Sequence, residues 1–495
     1  TGLTGGVAEG AALHSFSLSD QNDDSLVALG LNRLALLNGG QIKAINMSFY
    51  GVPGFFDNPD GNSYTTQFVD WSAQRHDVLY VVSWGNADSL ETLRKPADNF
   101  NGITVASSEQ VDDEGPYRRF SVDVNFFEDD PFDAQRIDIL APGKGVPALE
   151  WDESTSFING SSFAAPTVVG TAALLQQYGQ QQRNLPTPNP RFDSDSERHQ
   201  VMKAVILNSA DKLSGVHGSA RTVWDGSDND WLESTANTSP TVALDPEMGA
   251  GHLNARRAVE QLTPGEYDPG PIPKIGWDFH SIGDGGSSNE YVFESEIEGY
   301  IAVTLAWDRQ TDHTESCGIG TFCEGDQFFT GTLDETANDL DLRILPANSN
   351  DLADAVTTSI GDDDTLEHIF FDIPAGMYKI VVTNSNFSGM GEADNYALAW
   401  WNGSAASAPG DYNRNGSVGP EDYDVWKTNF GSSFADADGN GNGTVDAGDY
   451  TIWRDNLGAG AGSGNLASVP EPAAIALFGQ MTVLLLLRLR KRGKL

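Results

Sequence analysis

The sequence predicts a multidomain protein. An α/β doubly wound parallel sheet comes first, then an all-β sandwich, then a small α-helical calcium module. Three observations carry this. Up to residue 263, short apolar strand-like runs alternate with stretches of helical spacing. From residue 276 the pattern becomes one strand after another, separated by turn residues. Residues 409–458 then repeat at a 27-residue offset, with oxygen-bearing side chains at fixed positions.

Composition narrows the partners. The chain has 495 residues, ample for several cores, and 53 Gly with 23 Pro mark it as rich in loops. Lys and Arg total 29 against 71 Asp and Glu, a formal charge of -42. Phosphates would be repelled, so nucleic acid is excluded as a partner. Such a charge fits an extracellular, saline or calcium-containing medium, although solubility alone would also account for it. Cys317 and Cys323 are the two cysteines; a stapled hairpin and two free thiols are both open.

The elements of the first part follow in order. Gly5–Leu13 reads as a turn into a buried strand over His14–Leu18, where His14 would be packed. Leu26, Gly30, Leu34 and Leu37 mark a helix ended by Gly39-Gly40. Ala44–Phe49 is a strand, Tyr64–Arg75 a helix, and Val78–Val82 a wholly apolar strand suited to the middle of a parallel sheet. Val111–Asp133 is acidic: a solvated loop, a surface flap or a calcium site. Asn159-Gly160-Ser161-Ser162-Phe163-Ala164-Ala165-Pro166 leads into the helical run Thr167–Tyr178. Ser162 therefore stands where a helix begins, and the partial positive charge there suits a hydroxyl that must become an attacking oxyanion. An ordinary N-capping serine is the plainer reading. Gln181–Ser196, with Pro186, Pro188 and Pro190, reads as an exposed loop, and Val201–Leu213 as a helix.

The serine segment resembles the Gly-Thr-Ser-x-Ala-x-Pro signature of subtilisin-like serine proteases, the subtilases, with Ser161 in place of Thr. Gly6–Ala11, Ile45–Ser48, Val82–Asn86, Asp138–Gly143, Val201–Leu213 and Gly249–Ala255 with Ala258-Val259 resemble other segments of that family, in the same order. The resemblance implies a subtilisin-like catalytic domain over 1–263 and a serine endopeptidase activity. It implies that Ser162 is the nucleophile and that Asn86 donates to the oxyanion, with the Ser162 N–H as second donor. It also implies that Ser48, Phe49 and Tyr50 hold a substrate strand, beside a pocket edged by Trp84 and Gly85. The family usually has Gly where Tyr50 stands and a small residue where Trp84 stands.

A serine nucleophile needs a general base, usually His oriented by an acid. The family's Asp-Thr/Ser-Gly and His-Gly-Thr-His segments do not occur among the residues given. His14, His76, His199, His217, His252, His280, His313 and His368 all lie outside such a motif. The expectation is that Asp and His precede Thr1 in a longer protein, and that these residues alone cleave only at a residual level. The alternative is a catalytically inactive subtilase fold used for binding at the surface.

Residues 264–275, with Pro269, Pro271 and Pro273, read as a linker. Residues 276–403 supply the strands Glu290–Phe293, Tyr300–Trp307, Leu340–Leu345, His368–Ile373, Met377–Val382 and Tyr396–Trp401. Val303–Trp307, Asn338–Leu342 and Gly376–Ile380 resemble the jelly-roll domain found after some subtilases. Asp339 and Asp341, on one side of a strand, could help bind calcium or satisfy a turn.

In the repeat, loop positions 1, 3, 5, 7 and 12 are Asp411, Asn413, Asn415, Ser417 and Asp422, then Asp438, Asn440, Asn442, Thr444 and Asp449. Gly416 and Gly443 make the sharp turn at position 6. This is the calcium-loop spacing of an EF-hand, with Asp for the usual bidentate Glu. The pair resembles a type I dockerin, which implies a cohesin-like partner; calcium-stiffened spacing is the plainer role. Residues 459–468 read as a second linker. Over 469–495, Val469-Pro470-Glu471-Pro472 precedes a 15-residue apolar run, Ala473–Leu487, and a basic end. The three parts resemble a PEP-CTERM sorting signal, which implies export across a Gram-negative-type envelope, processing by an exosortase and a secreted or cell-surface destination. A permanent membrane anchor is the alternative.

Overall fold

The computed structural model describes residues 7–16, 23–49, 61–86, 95–111, 116–120, 137–149, 154–214, 219, 221–283, 286–295, 298–314, 327–330, 339–362, 364–385, 394–404, 409–412, 418–432, 434, 437–440 and 442–457. The chain divides into two compact units, Thr1–Ala406 and Ser407–Leu495.

In the first unit, α1 (Asp24–Ala35) begins where Asp23 Oδ1 accepts the N–H groups of Ser25 and Leu26. There follow β1 (Ala44–Met47), α2 (Tyr64–His76), β2 (Leu79–Ser83), β3 (Ile103–Gln110), β4 (Tyr117–Arg119) and β5 (Ile139–Pro142). β1, β2 and β3 run parallel, and β5 pairs parallel with β3. β4 turns antiparallel to β3 and carries β8 (Val223–Trp224), so the sheet is parallel at its centre and mixed beyond it. Between these come the antiparallel pair β6 (Val146–Leu149) and β7 (Thr155–Ile158), then α3 (Ser161–Arg183) and α4 (His199–Asn208). The one-turn α5 (Thr235–Thr238) and α6 (Ala255–Leu262) close this part.

Alternation along β2 makes the sheet doubly wound. Leu79 and Val81 pack with Ala164, Ala165, Val168 and Leu175 of α3. Tyr80 and Val82 face the other way, onto Val27, Leu31, Phe68 and Val69 of α1 and α2.

Several expectations change. Residues 7–16 form no strand and are largely exposed, Leu13 to 88%. No described strand pairs with them, so His14 and its neighbours have no sheet on which to be buried; residues 17–18 lie outside the described residues. The Gln181–Ser196 segment is partly helical and partly anchored. α3 runs to Arg183, and Phe192, 4% exposed, packs against Tyr178 and Trp277. α4 stops at Asn208, short of the expected Leu213, and Asp211 instead exchanges N–H···O bonds with His252, both 2.8 Å. Of the acidic Val111–Asp133 stretch only Val111 and residues 116–120 are described; any calcium site there lies outside the described residues, as do Cys317 and Cys323.

The β part contains β9 (Gly270–Pro271), β10 (Ile275–Ile282), β11 (Ser288–Ser295), β12 (Gly299–Trp307), β13 (Thr311–Thr314), β14 (Gln327–Thr330), β15 (Leu340–Pro346), β16 (Thr357–Ser359), β17 (Leu366–Ile373), β18 (Gly376–Asn384) and β19 (Asp394–Ser404). Two sheets, β10-β19-β12-β17 and β16-β15-β18-β11-β9, enclose a core that includes Tyr291, Ile301, Leu305, Leu342, Val382 and Trp400. The sandwich shares a second core with the α/β part. Trp277, Ala306, Leu366, Ala397 and Ala399 join the cluster built on α3 and α4, and every residue of α4 is buried. Residues 264–275 are accordingly held in place. The Glu266 N–H donates to the Arg191 carbonyl at 3.0 Å, that of Tyr267 to Trp277 at 2.9 Å, and that of Ile272 to Val292 at 2.8 Å.

In the second unit, α7 (Pro420–Asn429) and α8 (Ala447–Asp455) enclose Tyr412, Val418, Trp426, Ala437, Val445, Tyr450 and Trp453. The repeat appears as a reciprocal exchange. Trp426 of α7 donates its indole N–H to the carbonyl of Asp446, the residue capping α8, at 2.8 Å. Trp453 of α8 donates to Gly419, the residue capping α7, at 2.7 Å. Residues 458–495 lie outside the described residues, and with them the expected sorting segment. Among the described residues no helix is long and apolar enough to cross a membrane.

Candidate active site

The site is assembled where β2 ends and α3 begins. Gly160 caps α3 with φ +141° and contributes no side chain to it. The cap comes from elsewhere in the chain: Asn86 Oδ1 accepts the Ser161 N–H at 2.8 Å. Ser161 is fully buried, its hydroxyl 3.1 Å from both Gly85 O and Asn86 Oδ1, and it accepts the Gly85 N–H at 3.0 Å. This fixes the orientation of the Asn86 amide, with the acceptor spent on the helix and Nδ2 left over. A Cβ added at Gly160 would fall 2.8 Å from that Nδ2. The Ser162 N–H stands in the first turn, where no preceding helical carbonyl can take it.

Ser48 reaches the same place from β1, its hydroxyl donating to the Ser162 carbonyl at 2.9 Å. Asn46 Nδ2 donates in turn to Ser48 Oγ at 2.9 Å. Phe49 packs partly against the α1–α2 core, and Tyr50 lies outside the described residues. Trp84 is half-buried, with the Arg119 guanidinium 4.9 Å over its ring, and its indole N–H is buried without a hydrogen-bond partner among the described residues. Ser48, Gly85, Asn86 and Ser162 thus converge.

Among the described residues nothing hydrogen-bonds to Ser162 Oγ. The buried histidines are committed elsewhere. His199 lies between Asp77 (3.1 Å) and Asp308 (2.9 Å), His252 contacts Ser108 (2.9 Å), and His368 contacts Thr304 (2.8 Å). His217 lies outside the described residues. Sequence reasoning missed the role of Ser161, which appeared only as a replacement for Thr. A hydroxyl immediately before the candidate nucleophile was the available signal.

The second repeat loop can be tested for fit to a cation. Asp438 is 7% exposed and Asp449 fully buried. Asp438 accepts the N–H groups of Asn442 (3.1 Å) and Gly443 (2.7 Å), and Asp449 those of Asn440 (2.9 Å) and Asp446 (2.7 Å). The Asn440 side chain accepts from Asn442 N–H, and that of Asn442 from Thr444 N–H. No basic side chain pairs with either carboxylate among the described residues. Two buried carboxylates held only by backbone N–H groups fit a bound divalent cation. In the first loop Asp411 and Asp422 are buried, while Asn413, Asn415 and Ser417 lie outside the described residues. Asp339 and Asp341 instead share the Ser385 hydroxyl at 2.9 Å each, and Arg343 pairs with Asp341.

A doubly wound α/β sheet that sets a serine at a helix start, beside an asparagine from a neighbouring strand end, defines the class: an α/β fold with a serine-centred site. Residues 1–228 match the model of the Subtilase family. Thermitase of Thermoactinomyces vulgaris is 25% identical over 215 residues, 43% of this chain and 63% of that protein. An extracellular serine proteinase of Thermus sp. (strain Rt41A) is 28% identical over 213 residues, 42% of this chain and 45% of that protein. The chain spans less than two thirds of the length of either relative. The solved structure of the prenylagaramide maturation protease PagA aligns over 50% of this chain and 70% of that one, at 24% identity and a TM-score of 0.32.

Proposed function

We propose that the chain is the serine-bearing part of a secreted or cell-surface, subtilisin-like serine endopeptidase. Ser162 attacks the scissile carbonyl. Asn86 Nδ2 and the Ser162 N–H donate to the oxygen as negative charge develops on it. Ser48, Phe49 and Tyr50 line the substrate strand, with Trp84 and Gly85 at the pocket. The observation that carries this reading is the Asn86–Ser161 lock, which leaves an amide donor beside the start of α3. The acid and base come from residues preceding Thr1, a reading supported by the lack, among the described residues, of a partner for Ser162 Oγ. These 495 residues alone then cleave peptides only at a residual rate.

In the same reading the two repeat loops bind calcium, dock a cohesin-like partner as a dockerin does, and precede a PEP-CTERM segment cut by an exosortase. When bound, calcium supplies charge neutralisation within the loops, and Asp438, Asn440, Asn442, Thr444 and Asp449 would hold it. The test is labelling of the full-length protein by a serine-directed phosphonate. Modification at Ser162, lost in Ser162→Ala, is expected. A full-length protein that is not labelled is a catalytically inactive binding protein on the same fold.

A further inference from the structure

Where the sandwich meets the α/β part, five carboxylates gather outside the serine site. Asp193 and Asp195 come from the segment after α3, Glu266 and Asp268 from the connection into the sandwich, and Asp278 from β10. One ligand atom each of Asp268, Asp278 and His280 lies within 4.8 Å of the others, and the same holds for Asp193, Asp195 and Glu266. Asp278 is 1% exposed. Its Oδ2 accepts the Tyr291 hydroxyl at 2.6 Å, and its Oδ1 is buried with no hydrogen-bond partner among the described residues. An orphaned buried carboxylate oxygen is costly unless something meets it.

We propose that Asp268, Asp278 and His280 bind a divalent cation of the class that accepts imidazole beside carboxylate, as Zn²⁺ and Mn²⁺ do. Three separate features converge on this. Asp278 Oδ1 lacks a partner; an imidazole stands near the other oxygen of the same carboxylate, His280 Nδ1 lying 3.7 Å from Asp278 Oδ2; and the surroundings are acidic. Arg198 offsets part of this charge by pairing with Asp195 at 3.1 Å. A cation at the Asp278 position would offset more. Asp278 and His280 lie on β10, which is fixed against β19, whereas Asp268 lies on the connection from the α/β part. The ion would therefore pin that connection to the sandwich.

The test is titration of Zn²⁺ into the whole chain held in saturating Ca²⁺, which occupies all-oxygen loops first. One saturable equivalent is expected, and the first unit should melt at a higher temperature with Zn²⁺ than without. His280→Gln and Asp268→Asn alter the less buried ligands and spare Asp278. Loss of that equivalent in both variants supports the site. No saturable uptake by the parent chain, or uptake retained in either folded variant, overturns it.

Discussion

The Ser48 hydroxyl donates to the carbonyl oxygen of Ser162 at 2.9 Å. Pro166 explains why that carbonyl is available. In a helix the Ser162 carbonyl would accept the N–H four residues on, and Pro166 has none. The acceptor freed by one residue is taken by a side chain from another strand, and this ties the start of α3 to the end of β1. Ser48→Ala leaves the carbonyl without its protein partner and should cost about 1 kcal/mol in denaturant unfolding. Ser48→Thr keeps the hydroxyl and should cost less. Equal stability of the Ala variant and the parent would remove the tie.

Asn86 serves two ends of one amide, and the two can be separated. Asn86→Asp keeps an oxygen to accept the Ser161 N–H but has no Nδ2. In the full-length enzyme it should lower kcat by about 10²–10³-fold, with little change in melting temperature. Asn86→Leu removes both functions, and should lower kcat comparably and destabilise the helix start by about 1 kcal/mol. Steady-state kinetics beside thermal melts decide this. An Asp variant with parental kcat would place the oxyanion donor elsewhere.

The local elements were legible and their assembly was not. The spacing of Leu26, Gly30 and Leu34 pointed to a helix where α1 lies, although Leu26 is exposed and the buried face includes Val27, Gly30, Leu31 and Ala35; the unbroken apolar run gave β2, because both signals lie within a few neighbouring residues. The serine segment was legible for the same reason. The cap on Ser161 was hidden, since its acceptor is 75 residues away in sequence. So was the union of the α/β part with the sandwich. Ala399 read as an ordinary strand residue and Trp277 fell in none of the strands read from the sequence, and nothing local says that they cover α4 as well as their own sheet. Three prolines within 267–273 suggested a linker over 264–275, whereas the shared core holds that connection down.

Gly160 should tolerate no side chain. Its φ of +141° is disfavoured for L residues, and a Cβ would lie 2.8 Å from Asn86 Nδ2 and 3.1 Å from its Oδ1. Gly160→Ala should therefore displace the Asn86 side chain and cost roughly 1–3 kcal/mol. In the full-length enzyme it should also lower kcat without a matching rise in KM. Parental kcat in this variant would mean that Asn86 does not act from this position.

His199 joins the two parts of the first unit electrostatically. Burial alone would lower its pKa, but Asp308 and then Asp77 hold it raised, to about 9. Against burial, His199 and Lys43 hold Asp77 well below the usual carboxylate range. For His199, whose folded value is raised, the stabilisation is fully present below the unfolded value of about 6.5 and is lost as pH rises through about 9. For Asp77, whose folded value is lowered, it is present above the ordinary Asp range and lost as pH falls. Unfolding free energy should thus decline between pH 6.5 and 9 in the parent, and decline less in His199→Gln. At pH 6 that variant should be destabilised by roughly 3–5 kcal/mol, because buried Asp308 loses its cationic partner and keeps the Gln200 amide. Parallel pH profiles would remove the clamp.

The second unit gives a prediction that is independent of catalysis. Asp449 accepts the Asn440 and Asp446 N–H groups, and so joins its loop to the first turn of α8. Trp426 then rests on the Asp446 carbonyl, so the loop's order should be reported by a tryptophan on the other helix. Calcium added to the whole chain should change Trp426 fluorescence, isolated by comparison with Trp426→Phe. Asp449→Ala should abolish the response of the second loop and weaken that of the first, because Trp453 of the disturbed helix supports Gly419. Asp449→Asn retains one acceptor oxygen and should bind calcium more weakly without losing the fold. A calcium response in Asp449→Ala that equals the parent's would show that the ion is held without the position-12 carboxylate, and the EF-hand spacing would then not describe this loop.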